Sequence, residues 1–174
     1  MQIQRSTTTD IDGIFKLYDI AVAYQKERFH LHWPSFDRSM VEAEIADGNQ
    51  WKIVADDGSV ACVFATAFDD PLIWREKNTD PAVYIHRIAT NPDWRGQNFV
   101  AHIIEWAKKY AAENGKNFLR LDTVGDNKKL TEHYVKSGFH FLGIVQLTDT
   151  AALPSHYHNA AVSLFELPLP AVGV

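Results

Sequence analysis

The segment from Ala82 to Gly115, AVYIHRIATNPDWRGQNFVAHIIEWAKKYAAENG, limits the possible folds of this chain more than any other. Its first nine residues are rich in apolar and β-branched types, which predicts a buried strand that ends at Asn91-Pro92. A helix follows the turn and ends at Gly115. Its predicted buried stripe consists of Val100, Ile103, Ile104, Ala107, Tyr110 and Ala111. A strand, a tight turn and an amphipathic helix in this order are typical of α/β proteins.

The residues before this segment predict two helices and a hairpin. Apolar residues recur at helical spacing from Thr9 to about Arg28, and a second helix is expected from Ser35 or Ser39 to Asp47. The sequence SMVE has capping-box spacing, and Gly48 is a predicted helix stop. Asp57-Gly58 lies between two apolar runs, which indicates a β-hairpin.

The remaining patterns complete an α/β sheet protein. We expect a first strand over Gln2 to Thr7, a polar loop at REKNTDP, a strand at NFLRLDTV and a helix from Asn127 to Ser137. FHFLGIVQL and SHYHNAAVSLFEL predict closing strands, and the tail from Leu167 is expected to be irregular. The element order predicts one domain over residues 1–174, with a mixed, mostly antiparallel central sheet of about six or seven strands and helices on both faces.

Composition excludes several partners. The formal net charge is −5, which argues against nucleic acid or an anionic membrane surface as the main partner. No run approaches the ~18 apolar residues of a membrane span, and MQIQRSTTTD lacks the apolar core of a signal peptide. Cys62 is the one cysteine and lies in an apolar run, so we expect a buried packing role and a reducing, cytoplasmic location.

The turn Trp94-Arg95-Gly96-Gln97-Asn98 has the composition of an anion-binding turn. A helix start offers unpaired backbone N–H groups, Gly96 permits close approach of a ligand, and Asn98 tolerates left-handed backbone. Arg95 can add a bidentate charged contact. The chain contains neither GxxxxGK(S/T) nor GxGxxG, so a Walker loop and a dinucleotide-binding fingerprint are excluded. Taken alone, the turn fits either a diphosphate site or a surface turn that binds water.

The surrounding residues resemble a known family. YIHRIATNPDWRGQNFVAHIIEWAKKYA, LRLDTVGDN and HYVKSGFHFLG, within about residues 83–143, are similar to the acyl-CoA-binding half of the GNAT superfamily N-acetyltransferases. The family's pyrophosphate motif is Gln/Arg-x-x-Gly-x-Gly/Ala, and here Arg95 matches its first position. Asn98 replaces the usual glycine and Val100 replaces the usual small residue, a change that could weaken or shift cofactor binding.

The resemblance implies acetyl-CoA as the cofactor and assigns residues to it. Backbone groups of Ile88, Ala89 and Thr90 would pair with the pantetheine arm, and the Ile88 N–H is expected to face the thioester oxygen. Asn127 matches an asparagine that touches the cofactor arm. The full set of expected cofactor-binding residues is Ile88, Ala89, Thr90, Arg95, Gly96, Gln97, Asn98, Phe99, Val100, Asn127 and Lys136.

The resemblance also implies the chemistry, which is transfer of an acetyl group to a primary amine. Tyr134 matches the tyrosine of the family signature YEKLGF and would protonate the leaving sulfur, although helix-face packing is its plain alternative. Asp122 would either take the amine proton through water or orient the amine, and these two roles stay open. His86 is the second candidate base, but a single histidine in a strand is more often structural.

The acceptor and the other ligands are less defined. Phe29, Trp33 and Phe36 are candidate substrate contacts, although packing at the corner between the helices is the more common explanation for such aromatics. Asp69-Asp70, and Glu42, Glu44 and Asp47, could attract a cationic amine, although charged turns and a solvated helix face explain these residues equally well. The pairs His30/His32 and His156/His158 have no third ligand at convincing spacing, so we expect no metal site. A small-molecule amine and a peptide both remain open as substrates, and the chain could be a monomer or a homodimer.

Two other functions fit the same residues. The chain could bind or sense acyl-CoA without catalysis, since Asn98 and Val100 depart from the motif, although Asp122, Asn127 and Tyr134 argue against such decay. It could also be an interaction module of the same fold that binds no coenzyme A.

Overall fold

The computed structural model describes residues 1–170, and this part contains both strands and helices. Its strands are β1 (Gln2–Arg5), β2 (Gln50–Val54), β3 (Val60–Ala67), β4 (Ala82–Thr90), β5 (Phe118–Val124), β6 (His140–Gln146) and β7 (Ala161–Pro168). Its α-helices are α1 (Ile11–Arg28), α2 (Arg38–Ala46), α3 (Pro71–Trp74), α4 (Phe99–Glu113) and α5 (Lys128–Lys136). Short 3₁₀ helices cover Thr8–Asp10, Arg75–Thr79, Pro92–Trp94 and Ser155–Tyr157.

The strands form one seven-stranded mixed sheet in the order β1-β2-β3-β4-β5-β7-β6. The pairs β1–β2, β2–β3, β5–β7 and β7–β6 are antiparallel, whereas β4 and β5 run parallel. The parallel pair needs a crossover, which the helix α4 between β4 and β5 provides. The predicted mixed α/β fold is therefore confirmed.

The chain forms two compact units. The first unit contains Met1–Thr66 and His86–Phe99, and the second contains Ala67–Ile85 and the chain from Val100 onwards. In the first unit, α1 and α2 contribute to an apolar cluster whose buried members are Ile14, Leu17, Tyr18, Val41, Val63 and Ala89. In the second unit, the corresponding cluster consists of Ile73, Trp74, Ala82, Tyr84, Leu147, Val162 and Leu164.

A buried charge network also holds the second unit together. The guanidinium group of Arg120 in β5 is fully buried, and its Nε donates to a Glu166 carboxylate oxygen at 2.8 Å. It also pairs with Asp80 and donates to the hydroxyl of Tyr84 at 3.1 Å. A buried charge of this kind is tolerated because each donor has a partner.

Three local predictions were wrong. SMVE does not supply a capping box, because Asp37 caps α2 by accepting a hydrogen bond from the Ser39 amide at 3.1 Å. REKNTDP is helical over Arg75–Thr79, following α3, which begins at Pro71. SHYH forms a 3₁₀ helix after Pro154 rather than the start of a strand.

The ends of the chain also differ in detail. The first strand stops at Arg5, before the 3₁₀ helix that starts at Thr8. The last strand continues through Pro168, so Leu167 and Pro168 are not irregular as predicted. The prediction for the rest of the tail extends beyond residue 170 and there lies outside the described residues.

Candidate functional site

The turn after β4 is fixed by side-chain hydrogen bonds within the first unit. The Asn91 side chain accepts a hydrogen bond from the Asp93 amide at 3.1 Å and donates one to the Val60 carbonyl oxygen at 3.1 Å. The indole nitrogen of Trp94 donates to the Ser59 hydroxyl at 3.1 Å. The β2–β3 hairpin therefore fixes the positions of Asn91 and Trp94. Gly96 to Asn98 follow these fixed residues directly in the chain.

Two residues of this turn have left-handed backbone, as the sequence predicts for Asn98. Gly96 has φ +83° and Asn98 has φ +50°. A Cβ at Gly96 would meet nothing within 4 Å, so the glycine is favoured there by backbone conformation rather than by lack of space. Left-handed residues set next to right-handed or extended ones turn successive N–H groups to one side, which is the geometry of an anion-binding concavity.

The side chains of the turn divide into exposed and buried groups. Arg95, Gly96, Gln97 and Asn98 are exposed, Val100 is half-buried, and Phe99 is buried. The guanidinium carbon of Arg95 lies 5.0 Å from the ring centroid of Tyr24, which is also exposed. Such a contact at an exposed site contributes about 0.5–1 kcal/mol, little enough for a charged ligand to displace it.

The strand end before the turn is well packed. Ala89 is buried, whereas Ile88 and Thr90 are half-buried. The Thr90 hydroxyl contacts the sulfur of Cys62 at 3.8 Å. Burial raises the pKa of the Cys62 thiol to about 12, so Cys62 is a packing residue, as its apolar neighbours predicted.

His86 lies in the same strand and is half-buried. Burial, with a smaller contribution from the charge of Arg87, lowers the pKa of His86 to about 3. Its imidazole is therefore neutral near pH 7 and holds a proton weakly. His86 is a poor match for a general base, which works best with a pKa near the working pH.

Asp122, in the second unit, lies beside two residues that the sequence patterns did not place there. The hydroxyl of Tyr157 donates to Oδ2 of Asp122 at 2.8 Å, and a carboxylate oxygen of Asp70 lies within 4.8 Å of one of Asp122. Burial raises the pKa of Asp122 to about 6, which the Tyr157 hydrogen bond partly offsets. Burial and the charge of Asp122 raise the pKa of Asp70 to about 7.

Asp70 and Tyr157 each gave a weak signal in the sequence. The sequence marks Asp70 as one of two adjacent acidic residues that could attract a cationic amine, and Tyr157 lies in SHYH, which the sequence pattern predicts as part of a strand. The rings of His156 and Tyr157 lie 4.0 Å apart between centroids and are tilted by 36°. The contacts of Asp122 with Asp70 and Tyr157 join positions 35 residues or more apart, so local patterns could not reveal them.

The α5 residues have separate roles in the second unit. The Asn127 side-chain oxygen caps α5 by accepting from the Leu130 amide at 3.2 Å, and Lys136 is exposed in the last turn. Tyr134 is half-buried, and its ring centroid lies 5.2 Å from that of Phe165 and 6.1 Å from that of Phe139. Packing therefore fixes the Tyr134 ring, and the capping role of Asn127 leaves its side-chain amide N–H groups for another acceptor.

The three candidate substrate contacts have different surroundings. Phe29 is 42% exposed, whereas Trp33 and Phe36 are half-buried against Tyr18, at centroid distances of 6.2 and 5.2 Å. Trp33 and Phe36 thus pack against the apolar cluster of the first unit, which is the alternative to a substrate contact. The exposed ring of Phe29 follows directly after α1.

The histidine pairs do not lie on strands. His32 hydrogen-bonds through Nδ1 to the Trp33 carbonyl oxygen at 2.8 Å, in the irregular segment between α1 and α2. His158 hydrogen-bonds through Nε2 to the Leu153 carbonyl oxygen at 2.9 Å, at the end of a 3₁₀ helix. The spacing argument from strand geometry therefore does not apply to either pair.

Comparison with known proteins identifies relatives of the same fold. The model of the Acetyltransferase (GNAT) family matches residues 14–139. An uncharacterised N-acetyltransferase of Bacillus subtilis, YesJ, is 30% identical over 74 residues, which span 42% of this chain and 41% of that relative. The chain thus matches less than half the length of this curated relative.

Solved structures share the fold over almost the whole chain. A GNAT-family acetyltransferase from Listeria monocytogenes superposes with a TM-score of 0.77 at 23% identity, covering 97% of this chain and 94% of that one. A GNAT superfamily phosphinothricin acetyltransferase from Sinorhizobium meliloti, solved with AcCoA, gives a TM-score of 0.67 at 13% identity, covering 97% and 88%. At these identities the likeness shows the fold.

The chain belongs to the GNAT acetyltransferase family. Within residues 1–170, no helix is both long enough and apolar enough to cross a membrane.

Proposed function

We propose that the protein transfers the acetyl group of acetyl-CoA to a primary amine of a small molecule or peptide, by direct attack of the amine nitrogen. The observation that carries this proposal is the left-handed backbone at Gly96 and Asn98, directly before α4. In a member of this family, that geometry fits an anion-binding turn better than a turn that binds only water.

The cofactor assignments follow the turn and the strand before it. Backbone N–H groups of residues 96–100 would bind the pyrophosphate, and Arg95 would leave Tyr24 to add a charged contact. Gln97 and Phe99 contribute their amides. Backbone groups of Ile88, Ala89 and Thr90 would pair with the pantetheine arm. Asn127 and Lys136 are proposed to contact the same ligand, through the side-chain amide and the ammonium group respectively.

Acetyl-CoA supplies an activated thioester, whose carbon–sulfur bond breaks as the carbon–nitrogen bond forms. The Ile88 N–H would stabilise the charge on the carbonyl oxygen. Asp122 would take the proton from the amine, directly or through water, because its raised pKa suits a base better than an ordinary carboxylate does. Tyr134 would give a proton to the departing sulfur, and the proton that the nitrogen loses on becoming an amide would restore the Tyr134 hydroxyl. An acceptor that binds as an ammonium ion would lose its first proton to Asp122, so the protons balance.

The acceptor is proposed to approach Asp122 as a cation. Asp70 and Asp122 are two carboxyl groups within 4.8 Å, and an ammonium group near them would be attracted strongly in a partly buried setting. Among the three candidate substrate contacts, Phe29 is the exposed one and could contact the acceptor, whereas Trp33 and Phe36 would act through packing.

Acetyl-CoA should stabilise the protein against heat. A ligand present at about 100 times its dissociation constant raises the free energy of unfolding by about 2.7 kcal/mol. We expect a clear upward shift of the melting temperature with acetyl-CoA or coenzyme A, measured by differential scanning fluorimetry. Adenosine serves as the control because it lacks the pyrophosphate, and an equal shift with adenosine would contradict the assignment of the turn.

Catalysis is separable from binding by following thiol release. Wild-type protein with acetyl-CoA and a panel of amines should release free coenzyme A only when a suitable acceptor is present. Stabilisation by acetyl-CoA without thiol release on any amine or peptide N-terminus would favour a binding or sensing domain instead.

Replacing Val100 with glycine should tighten acetyl-CoA binding by a few-fold. Val100 is the second residue of α4, is half-buried, and occupies the place of a small residue in the family motif. Glycine in a helix also costs about 0.5–1 kcal/mol of stability, so Val100→Ala is the matched control that removes bulk without that cost. Isothermal titration with acetyl-CoA measures both, and unchanged or weaker binding in both variants would refute the bulk argument.

A further inference from the structure

Arg87 has an unusual backbone conformation for a residue inside a strand. Its φ is +51°, although it is neither glycine nor asparagine and lies in the middle of β4. Left-handed backbone is uncommon for such residues and persists only where the surrounding structure imposes it. Ile88, the next residue, begins the segment proposed to contact the pantetheine arm.

The side chain of Arg87 is held by two helices of the same unit. It forms an ion pair with Glu44 of α2, and its Nε donates to the hydroxyl of Tyr18 of α1 at 3.3 Å. Its guanidinium carbon lies 5.4 Å from the ring centroid of Phe36. The Arg87 and Glu44 side chains are only 13% and 22% exposed, so the pair is strongly shielded from water.

The partners of Arg87 are themselves fixed. Tyr18 is buried in the apolar cluster, and its hydroxyl also contacts Gln50 at 3.5 Å. The ring of Phe36 packs at 5.2 Å from that of Tyr18. A planar guanidinium that meets a carboxylate, a hydroxyl and an aromatic face has one orientation, which lysine would not reproduce.

We propose that Arg87 is a positioning residue that sets the backbone of Ile88, Ala89 and Thr90 for the acyl donor. The Glu44 and Tyr18 contacts hold the left-handed turn of β4 at Arg87, and this turn determines where the next three amides point. Arg87 itself touches no reacting atom. The inference rests on the proposed function, in which those amides bind the pantetheine arm and the thioester oxygen.

The role predicts a specific effect of Arg87→Asn. Asparagine tolerates left-handed backbone but is too short to reach Glu44. The left-handed conformation at position 87 therefore stays accessible, while the side-chain contacts that hold it are lost. A displacement of about 1 Å in a reacting group can lower the rate about 100-fold, and we expect a loss of that order in kcat/KM for acetyl transfer. Both kcat and the affinity for acetyl-CoA should fall.

The control is a variant that loses stability but keeps the contacts of Arg87 with Glu44 and Tyr18. Ile53→Ala in β2 removes a buried side chain of the same unit, and Ile53 takes no part in the Arg87 contacts. Assays of both variants are run well below their measured melting temperatures. Arg87→Lys keeps the charge for Glu44 and should recover part of the affinity, since it restores the ion pair but not the Tyr18 contact.

Backbone amide signals test the geometry without any substrate. In Arg87→Asn, the amide resonances of Ile88, Ala89 and Thr90 should shift and exchange faster with solvent, whereas Ile53→Ala should leave them in place. Glu44→Gln should move the same three signals in the same direction. Unchanged signals in Arg87→Asn would overturn the proposal, whatever the activity.

The kinetic results separate this inference from the proposed function. If wild type binds acetyl-CoA and Arg87→Asn has the same kcat and KM as Ile53→Ala, the positioning role is wrong and the function stands. If wild type neither binds acetyl-CoA nor transfers acetyl groups, the proposed function fails, and the positioning role fails with it. A selective loss in Arg87→Asn, with matching amide shifts, would support both.

Discussion

Replacing Tyr134 with phenylalanine is expected to slow acetyl transfer by about 10²–10⁴-fold while leaving the affinity for acetyl-CoA nearly unchanged. The proposed function gives the Tyr134 hydroxyl one task, which is to protonate the leaving sulfur. A phenol has a pKa near 10 and a thiol one near 8.5, so the proton transfer to thiolate is modestly uphill and depends on position. Loss of the hydroxyl then affects turnover rather than binding.

The packing of Tyr134 makes this substitution a clean test. Its ring lies 5.2 Å from Phe165 and 6.1 Å from Phe139, and phenylalanine keeps these aromatic contacts. We therefore expect the Tyr134→Phe variant to fold with a melting temperature close to that of wild type. If the residue served only for packing, the same variant would keep its full activity.

The measurement is single-turnover and steady-state thiol release, together with titration of acetyl-CoA. Tyr110→Phe is the matched control, because it removes a hydroxyl from another aromatic group of the second unit, where Tyr110 stacks on Trp106 at 4.9 Å. Equal turnover in the Tyr134 and Tyr110 variants would remove Tyr134 from the mechanism. A large rise in the dissociation constant of acetyl-CoA alone would assign it to cofactor binding instead.

The parts of the fold that could be predicted are those that local sequence determines. The periodicity of α4, the Asp57-Gly58 hairpin and the left-handed Asn98 all follow from residues a few positions apart. Asp37 shows the limit of such rules, because it and Ser39 are both good caps, and only the structure shows that the Asp37 side chain caps α2.

The candidate site was only partly predictable, because its electrostatics depend on distant pairs. The sequence indicated Asp122 through a family resemblance, but it gave no means of placing Asp70 or Tyr157 beside it. The raised pKa of Asp122 and the low pKa of His86 come from burial, which residue type does not reveal. The positive φ of Arg87 was equally hidden, because arginine carries no preference for that conformation.

Asp122→Asn is expected to lower kcat by about 10²–10⁴-fold if the carboxylate is the base, and to remove the rise of activity with pH. In wild type, kcat/KM should rise with pH between about 6 and 7, the range of the raised pKa values of Asp122 and Asp70, because the base must be deprotonated. If Asp122 only orients the amine, Asp122→Asn should instead raise the KM of the amine and retain the pH dependence.

Asp70→Asn distinguishes the effect of the neighbouring charge from that of the base. The variant keeps Asp122 and the Tyr157 hydrogen bond but removes the second carboxyl group. Burial, together with the charge of Asp122, raises the pKa of Asp70 to about 7, so Asp70→Asn removes the higher of the two titrations and should confine the rise of activity to the range of Asp122, near pH 6. A pH profile unchanged from wild type would show that Asp70 does not influence the reaction.

The same pair makes a prediction about stability that needs no substrate. Both folded-state pKa values lie above the ordinary value of 3.8, so the folded state binds more protons than the unfolded state between about pH 4 and 7. The pair therefore lowers stability as pH rises through that window. Asp70→Asn should be more stable than wild type at about pH 8, by up to a few kcal/mol, and should lose this advantage near pH 4.

Urea denaturation at both pH values, with Asp69→Asn as the matched control, measures this difference. Asp69 is exposed and adjacent in sequence, so its replacement removes the same formal charge without removing a buried carboxylate. Equal stabilisation by Asp69→Asn and Asp70→Asn would attribute the effect to net charge. Stabilisation confined to Asp70→Asn at high pH would show that burial of this carboxyl pair costs stability, as expected for groups whose charged form is needed for function rather than for folding.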